Sequence, residues 1–394
     1  MILKINGIDK SEKVIWKSLR IRDCLNEMVN TCYFEMNCLE GEIEVNVNDI
    51  IEVWYESNLI FKGRVVRIQR ASQGAKLERV KVECCDFTSD LQNILVIERF
   101  EDTTAQAIVE YLISNYAPDF TTNNVDCSRE VKSIVFNRLS LADALTKLAK
   151  QVGYYWYVDY EKDIHFFAKN DKSAPFELKD DNDSYIYNSL DFKIDGSEIK
   201  NKIYLKGGEI VGEQRTEYFT GDGKKKTFSL ANKFKDKPTV KVDGVEKNVG
   251  VDFLDNEEDF DCFWNFNQKY IRFKTAPASG SEIEVSGNPL FPIIVMKQNE
   301  SSISKYGVRE AYFEDENIKS KEEAKQIVSI LLEKFSEPPV RGMFRTYKFG
   351  LASGQTLRIQ SANRNLSLEV LIEEVKMSML NEKDPVWEVS FSSI

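Results

Sequence analysis

The chain has 394 residues, 42% of them hydrophobic and 30% charged, with a formal net charge of −11. That length suits two to four domains with ample material for cores. The negative charge argues against gripping DNA or an anionic membrane electrostatically, and no apolar run approaches the roughly 20 residues a membrane span needs.

The opening MILKINGIDK lacks an apolar h-region, so no secretory signal is expected and synthesis in a cytoplasm is. The seven cysteines, Cys24, Cys32, Cys38, Cys84, Cys85, Cys127 and Cys262, are odd in number and scattered. They do not read as a disulfide framework, and without a C-x-x-C pair they do not read as a zinc site. Small buried apolar residues are the simpler reading.

Residues 1–85 read as β. Segments 50–55, 59–69 and 77–85 are β-rich, with alternation at Ile51, Val53 and Tyr55 and a tight turn predicted at Ser57 and Asn58. A small β-barrel or sandwich is the natural reading. At Asp86 the texture changes, and a helix is predicted over 103–117. Thr103 is its expected cap, Gln106 completes a capping box, and Ile108, Leu112 and Tyr116 form a stripe with Val109 and Ile113 beside it. Pro118 lies just past its end.

The stretch SIVFNRLSLADALTKLAKQVGYYWYVDYEKDIHFFAK organises the rest. Ser140 is a good N-cap with Asp143 three residues on, and Leu141, Leu145, Leu148 and Val152 form a stripe over a helix at 141–152. Gly153 follows where a left-handed C-terminal turn needs no Cβ. Tyr154 to Tyr160 then has strand composition, Glu161, Lys162 and Asp163 make a polar turn, and Ile164 to Ala168 returns as a second strand. A strand, a capped helix reading S-x-x-[DE]-A-L-x-x-L-A, a Gly and an aromatic hairpin, in that order, resemble a segment of the baseplate hub proteins of tailed bacteriophages. The "T-x-x-x-I-V-x-x-L-I" helix upstream resembles the same family. Residues 86–175 are therefore expected to form one α/β domain.

Residues 176–214 return to β. From about Arg215 the texture shifts again, with TGDGKKKTFSL, then PTVKVDGVEKN with an Asp243–Gly244 turn, then IRFKTAPASG. These three motifs resemble a small β module common in phage structural proteins, departing from it at the long acidic and aromatic stretch DFLDNEEDFDCFWNFN. Residues 215–286 are read as an insertion, because SSISKYGVRE then resembles a hub signature, S-x-x-x-Y-G-x-R-E, leading into D-x-x-I and a helix. That helix is predicted to start at Ser320, with Glu323 closing a capping box and Ala324, Ile327, Val328, Leu331 and Phe335 on its apolar side, until Pro338 and Pro339 stop it. The rest is β, and 354–375 loosely echoes the strand-turn-strand at 49–68.

The expected fold is α+β, mostly β: two small β-barrel domains flanking an α/β domain, with an inserted β-sandwich-like module. The expected domains are a tail-tube-like barrel at 1–85, the α/β domain at 86–175, a β connecting domain from 176–214 and 287–319, the module at 215–286, and a helix with a C-terminal barrel-like domain at 320–394.

No catalytic, cofactor or metal residues are assigned. His165 is the only histidine, and a structural role outweighs a general base because no second catalytic group stands beside it in sequence. The run Asp252, Asp255, Glu257, Glu258, Asp259 and Asp261 lacks calcium-loop spacing. The aromatics Phe253, Phe260, Phe263, Trp264 and Phe266 within it could stack on sugars, but are read first as core. GDGKKK lacks the phosphate-loop order and leads into a strand. The chain ends at Ile394 with no added hydrolase domain expected.

The resemblance implies a non-enzymatic hub of a phage, prophage or phage-tail-like particle, located in the virion at the tail tip and assembled in the host cytoplasm. It implies a homotrimeric ring that closes the tail tube. The implied partners are the tail tube protein, the tape-measure protein and other tail-tip or fibre proteins, with DNA passing through unbound. Two alternatives are a receptor- or carbohydrate-binding tail protein, acting on a host surface glycan through 215–286, and a cell-wall hydrolase.

Overall fold

The computed structural model describes residues 1–25, 29–74, 76–169 and 171–393. They divide into two compact units, one of residues 1–202, 298–311 and 329–394, the other of 203–297 and 312–328.

The first unit is built on a 13-stranded sheet. Alternation drives it. In Thr31–Leu39, Cys32, Phe34, Met36 and Cys38 are buried while Thr31, Tyr33, Glu35 and Asn37 face the other way. The terminal β regions are not separate sheets. Leu366–Met379 pairs antiparallel with Val14–Cys24 on one side and Pro385–Ser392 on the other. One hydrophobic core accordingly mixes Leu3, Phe34, Val53 and Val82 with Phe344, Val370, Val389 and Phe391. The predicted turn at Ser57 and Asn58 is shifted by one residue. Asn58 already pairs with Tyr55, and Glu56, in the left-handed region at φ 55°, turns the chain with Ser57.

The α/β region has its own core. Helices Ala105–Tyr116 and Leu141–Val152 bury Ile108, Leu112, Leu145 and Leu148 together with Phe136, Trp156 and Phe166. Ser140 caps the second helix by accepting the Asp143 N–H at 3.0 Å, and Gly153 closes it at φ 74°. The first helix is capped by Thr104 and not Thr103: the Thr104 hydroxyl accepts from Ala107 N, and Gln106 bonds Glu110 in place of a capping box. Thr103 lies in the strand Leu95–Thr104, which pairs with Glu130–Ser140. Tyr155–Val158 and Asp163–Phe167 form the predicted hairpin, extended by Thr121–Val125 running parallel to the latter. Asp163 begins a strand where a turn was predicted, because Thr121 and Asn124 satisfy its buried carboxylate.

Three four-stranded sheets are drawn almost wholly from the second unit, and one core gathers Phe228, Phe234, Val240, Trp264, Ile271, Ile283 and Val285 from them. Asp243 and Gly244, at φ 48° and 76°, form the predicted hairpin turn between Thr239–Val242 and Val245–Lys247. The unexpected length of the acidic stretch has a topological cause. Val249–Val251 pairs parallel with Cys262–Asn265, and a parallel pair needs a crossover to bring the chain back.

Candidate functional site

Along Val14–Cys24 and Leu366–Met379 the pleat sorts side chains onto two faces. Arg20 and Arg22 pair with Ser378 and Lys376, while Ile21 and Asp23 pair with Met377 and Val375. Arg22 meets one oxygen of Glu374 and Lys376 lies 2.7 Å from the other. Burial alone would raise the Glu374 pKa, but hydrogen bonds from Lys376 and Arg22 outweigh it and hold the carboxyl below its usual range.

A groove of about 530 Å³ crosses this seam, lined among others by Arg20, Arg22, Tyr33, Val66, Glu83, Lys376 and Glu388. Val66 is the extra residue of a bulge, since Val65 pairs with Cys84 and Arg67 with Glu83. Three cations interspersed with two carboxylates suit a docked protein segment better than a polyphosphate, which favours one sign.

A smaller cavity of about 170 Å³ lies against Ile21, Asp23, Val375 and Met377, with Leu59, Ile60, Tyr160, Leu351 and Trp387. Burial pushes the Asp23 carboxyl pKa up, partly offset by two hydrogen bonds from Ser353. Asp86 is buried and its pKa is pushed up to about 7, mainly by desolvation, against hydrogen bonds from Thr88 and with a further rise from the Asp23 charge. Tyr160 reaches across to donate to the Ile60 carbonyl at 2.8 Å.

His165 does have neighbours that the linear sequence hid. Its ring stacks on Tyr157 with centroids 4.5 Å apart, Nε2 lies 3.0 Å from Asp159 Oδ2, and Nδ1 lies 3.0 Å from Lys172 Nζ. An ammonium can only donate, so Nδ1 accepts and Nε2 carries the proton given to Asp159. Both ring nitrogens are thereby engaged within the chain. Among the described residues Asp159, Asp163 and His165 bring three potential ligand atoms within 4.8 Å of one another. Their lone pairs already serve the chain: Asp163 accepts from Thr121, Asn123 N and Asn124, and Asp159 from Glu161 N and Asp163 N. This set locks the hairpin turn.

The acidic run is dispersed. Asp252 is buried against Arg272 at 2.6 Å, Glu257 takes the same guanidinium at 2.8 Å, and Asp255 and Asp261 accept from Val251 N and Asn248 N. Phe263 and Trp264 are core residues as predicted, whereas Phe253 is 84% exposed. In GDGKKK, Asp222 accepts from Lys224 N and Lys225 N, which makes it a turn. The Y-G-x-R-E signature is organised by Asn201, which the sequence reading missed. Its buried amide donates to Ser302 and Gly307 O and accepts from Arg309 N. The Asn opening NKIYLKGG was the available signal.

No family model and no curated protein matches this sequence. Solved structures do. A 43 kDa tail protein of prophage MuSo2 from Shewanella oneidensis aligns with TM-score 0.61 and 12% identity, over 99% of this chain and 97% of that one. A tail protein from Neisseria meningitidis MC58 gives 0.59 and 8%, over 100% and 95%. The prophage tail protein gp18 from Listeria monocytogenes gives 0.55 and 11%, over 96% and 89%. The chain has the fold of these tail proteins along essentially its whole length.

Proposed function

We propose that this protein is a structural hub of a tail tip or baseplate, in a phage, a prophage or a phage-tail-like particle. Three copies form a ring that closes the tail tube. The ring anchors other tip proteins, with the tail tube and tape-measure proteins among its partners, and lets DNA pass. The carrying observation is the end-to-end fold match to prophage tail proteins. The seam between Val14–Cys24 and Leu366–Met379 supports the ring, because it fuses the two terminal β regions of each chain into one sheet that can bend around an axis. Closed cyclic symmetry leaves such a ring without free ends. A charge of −11 per chain offers a phosphate backbone little net attraction, in keeping with passage without adhesion. The neighbours that carry the fold match are tail proteins, in keeping with a non-enzymatic role.

Electron microscopy of purified tails tests the reading. Three copies per tail with their large sheets around the tube axis are expected, and one or two copies, or sheets lying off the axis, would sink it. Zymography on peptidoglycan tests the non-enzymatic role, and clear lysis would overturn it.

A further inference from the structure

The crossover between Val249–Val251 and Cys262–Asn265 holds two adjacent large apolar side chains out in solvent, Phe253 at 84% and Leu254 at 82% exposure. The surrounding loop is firmly held. Asp252 N donates to Trp264 O, Leu254 N and Asp255 N both donate to Val251 O, and the buried Asp252 carboxylate takes Arg272 and Tyr270. Phe260 folds back onto Gly250, where a Cβ would meet its ring at 2.8 Å. Phe253 itself has φ 65°, a backbone region that a bulky aromatic enters at a cost. The loop therefore buries the Asp252 carboxylate while displaying Phe253 and Leu254, the reverse of what solvation alone would select at those three positions.

We propose that Phe253 and Leu254 form a pre-ordered plug for another protein of the particle, one that presents an apolar socket rimmed by lysine or arginine. The inference rests on the tail-tip reading. Charge selects the partner: Asp255, Glu258 and Asp259 are exposed on the same crossover and make it acidic. That charge repels anionic lipid, and it favours a partner surface that carries lysine or arginine. Because the loop is already ordered, docking loses little conformational freedom.

The test places a photo-crosslinking phenylalanine analogue at position 253 of the full chain in cells producing particles, with position 245 of the same unit as an exposed control. Recovery of the chain in purified particles checks the tail-tip reading separately. The expected product is a crosslink to a different particle protein, at apolar residues flanked by basic ones. Crosslinks only to lipid or to another copy, or none above the control, would overturn the plug. Phe253→Asn with Leu254→Ser should leave the melting temperature unchanged and lower the crosslinked partner's retention on particles at least about tenfold. Glu258→Lys with Asp259→Lys should weaken retention in the same direction; strengthened retention would refute the basic rim.

Discussion

Asp23 accepts two hydrogen bonds from Ser353, at 2.8 Å from the backbone N–H and 2.9 Å from the hydroxyl, across 330 residues of chain. The contact ties the loop before Thr356–Ser361 to the N-terminal side of the seam. Asp23→Ala should destabilise the protein by about 1–3 kcal/mol, because it strands a backbone donor. Asp23→Asn, which keeps an acceptor, should cost less than about 1 kcal/mol. Urea denaturation of both variants distinguishes a lost acceptor from a lost charge.

Asp86 makes stability depend on pH in an unusual direction. Its folded pKa, about 7, lies above its ordinary value of 3.8, so the folded state binds the proton more tightly than the unfolded one. Its contribution is full below about pH 4 and is lost as pH rises to about 7, at roughly 1.4 kcal/mol per unit. Carboxylates held below their usual range, such as Asp163 and Asp252, act oppositely in acid. The clean readout is therefore the difference between wild type and Asp86→Asn. The variant should gain on wild type as pH rises from 5 to 8. A difference that stays constant with pH would show that Asp86 does not hold its proton.

Leu145 is fully buried on the capped helix, against a core that includes Phe136 and Trp156. Leu145→Ala should cost about 2–5 kcal/mol. Thermal or chemical unfolding measures it, and a loss under about 1 kcal/mol would mean that the helix face is not packed as described.

Arg215 pairs with Gly287, so the two ends of the 215–286 segment are neighbours. Replacing 215–286 by a short Gly-Ser linker should leave a remainder that still melts cooperatively. Phe234, which covers Gly287, goes with the deletion, so a modestly lower melting temperature is expected. Aggregation of the shortened chain would count against a separable module.

What could be read from the sequence was local. The Ser140 cap, the Gly153 stop and the Asp243–Gly244 turn each follow from a residue's own stereochemistry and were read correctly. One-residue shifts at Thr104 and at the Glu56–Ser57 turn arose where two adjacent residues were equally suitable and strand pairing decided between them. The seam was hidden because its two strands are joined by no local signal. Lys172 was hidden for the same reason, as it reaches His165 from beyond the hairpin. Asp159 was partly legible: once Tyr157 is paired with His165, Asp159 falls opposite Asp163, next to the ring.

The seam also sets a clock. Val14–Cys24 leaves the ribosome about 350 residues before its partner strand, which at 5–20 residues per second is roughly 20–70 s of synthesis. Throughout that time the strand edge that will hold Leu366–Met379 has no mate, and the sheet cannot close until those residues are made. Non-local pairing of this span is also slow to form. Until Leu366–Met379 is made, each growing chain thus carries an open strand edge that chaperones can recognise.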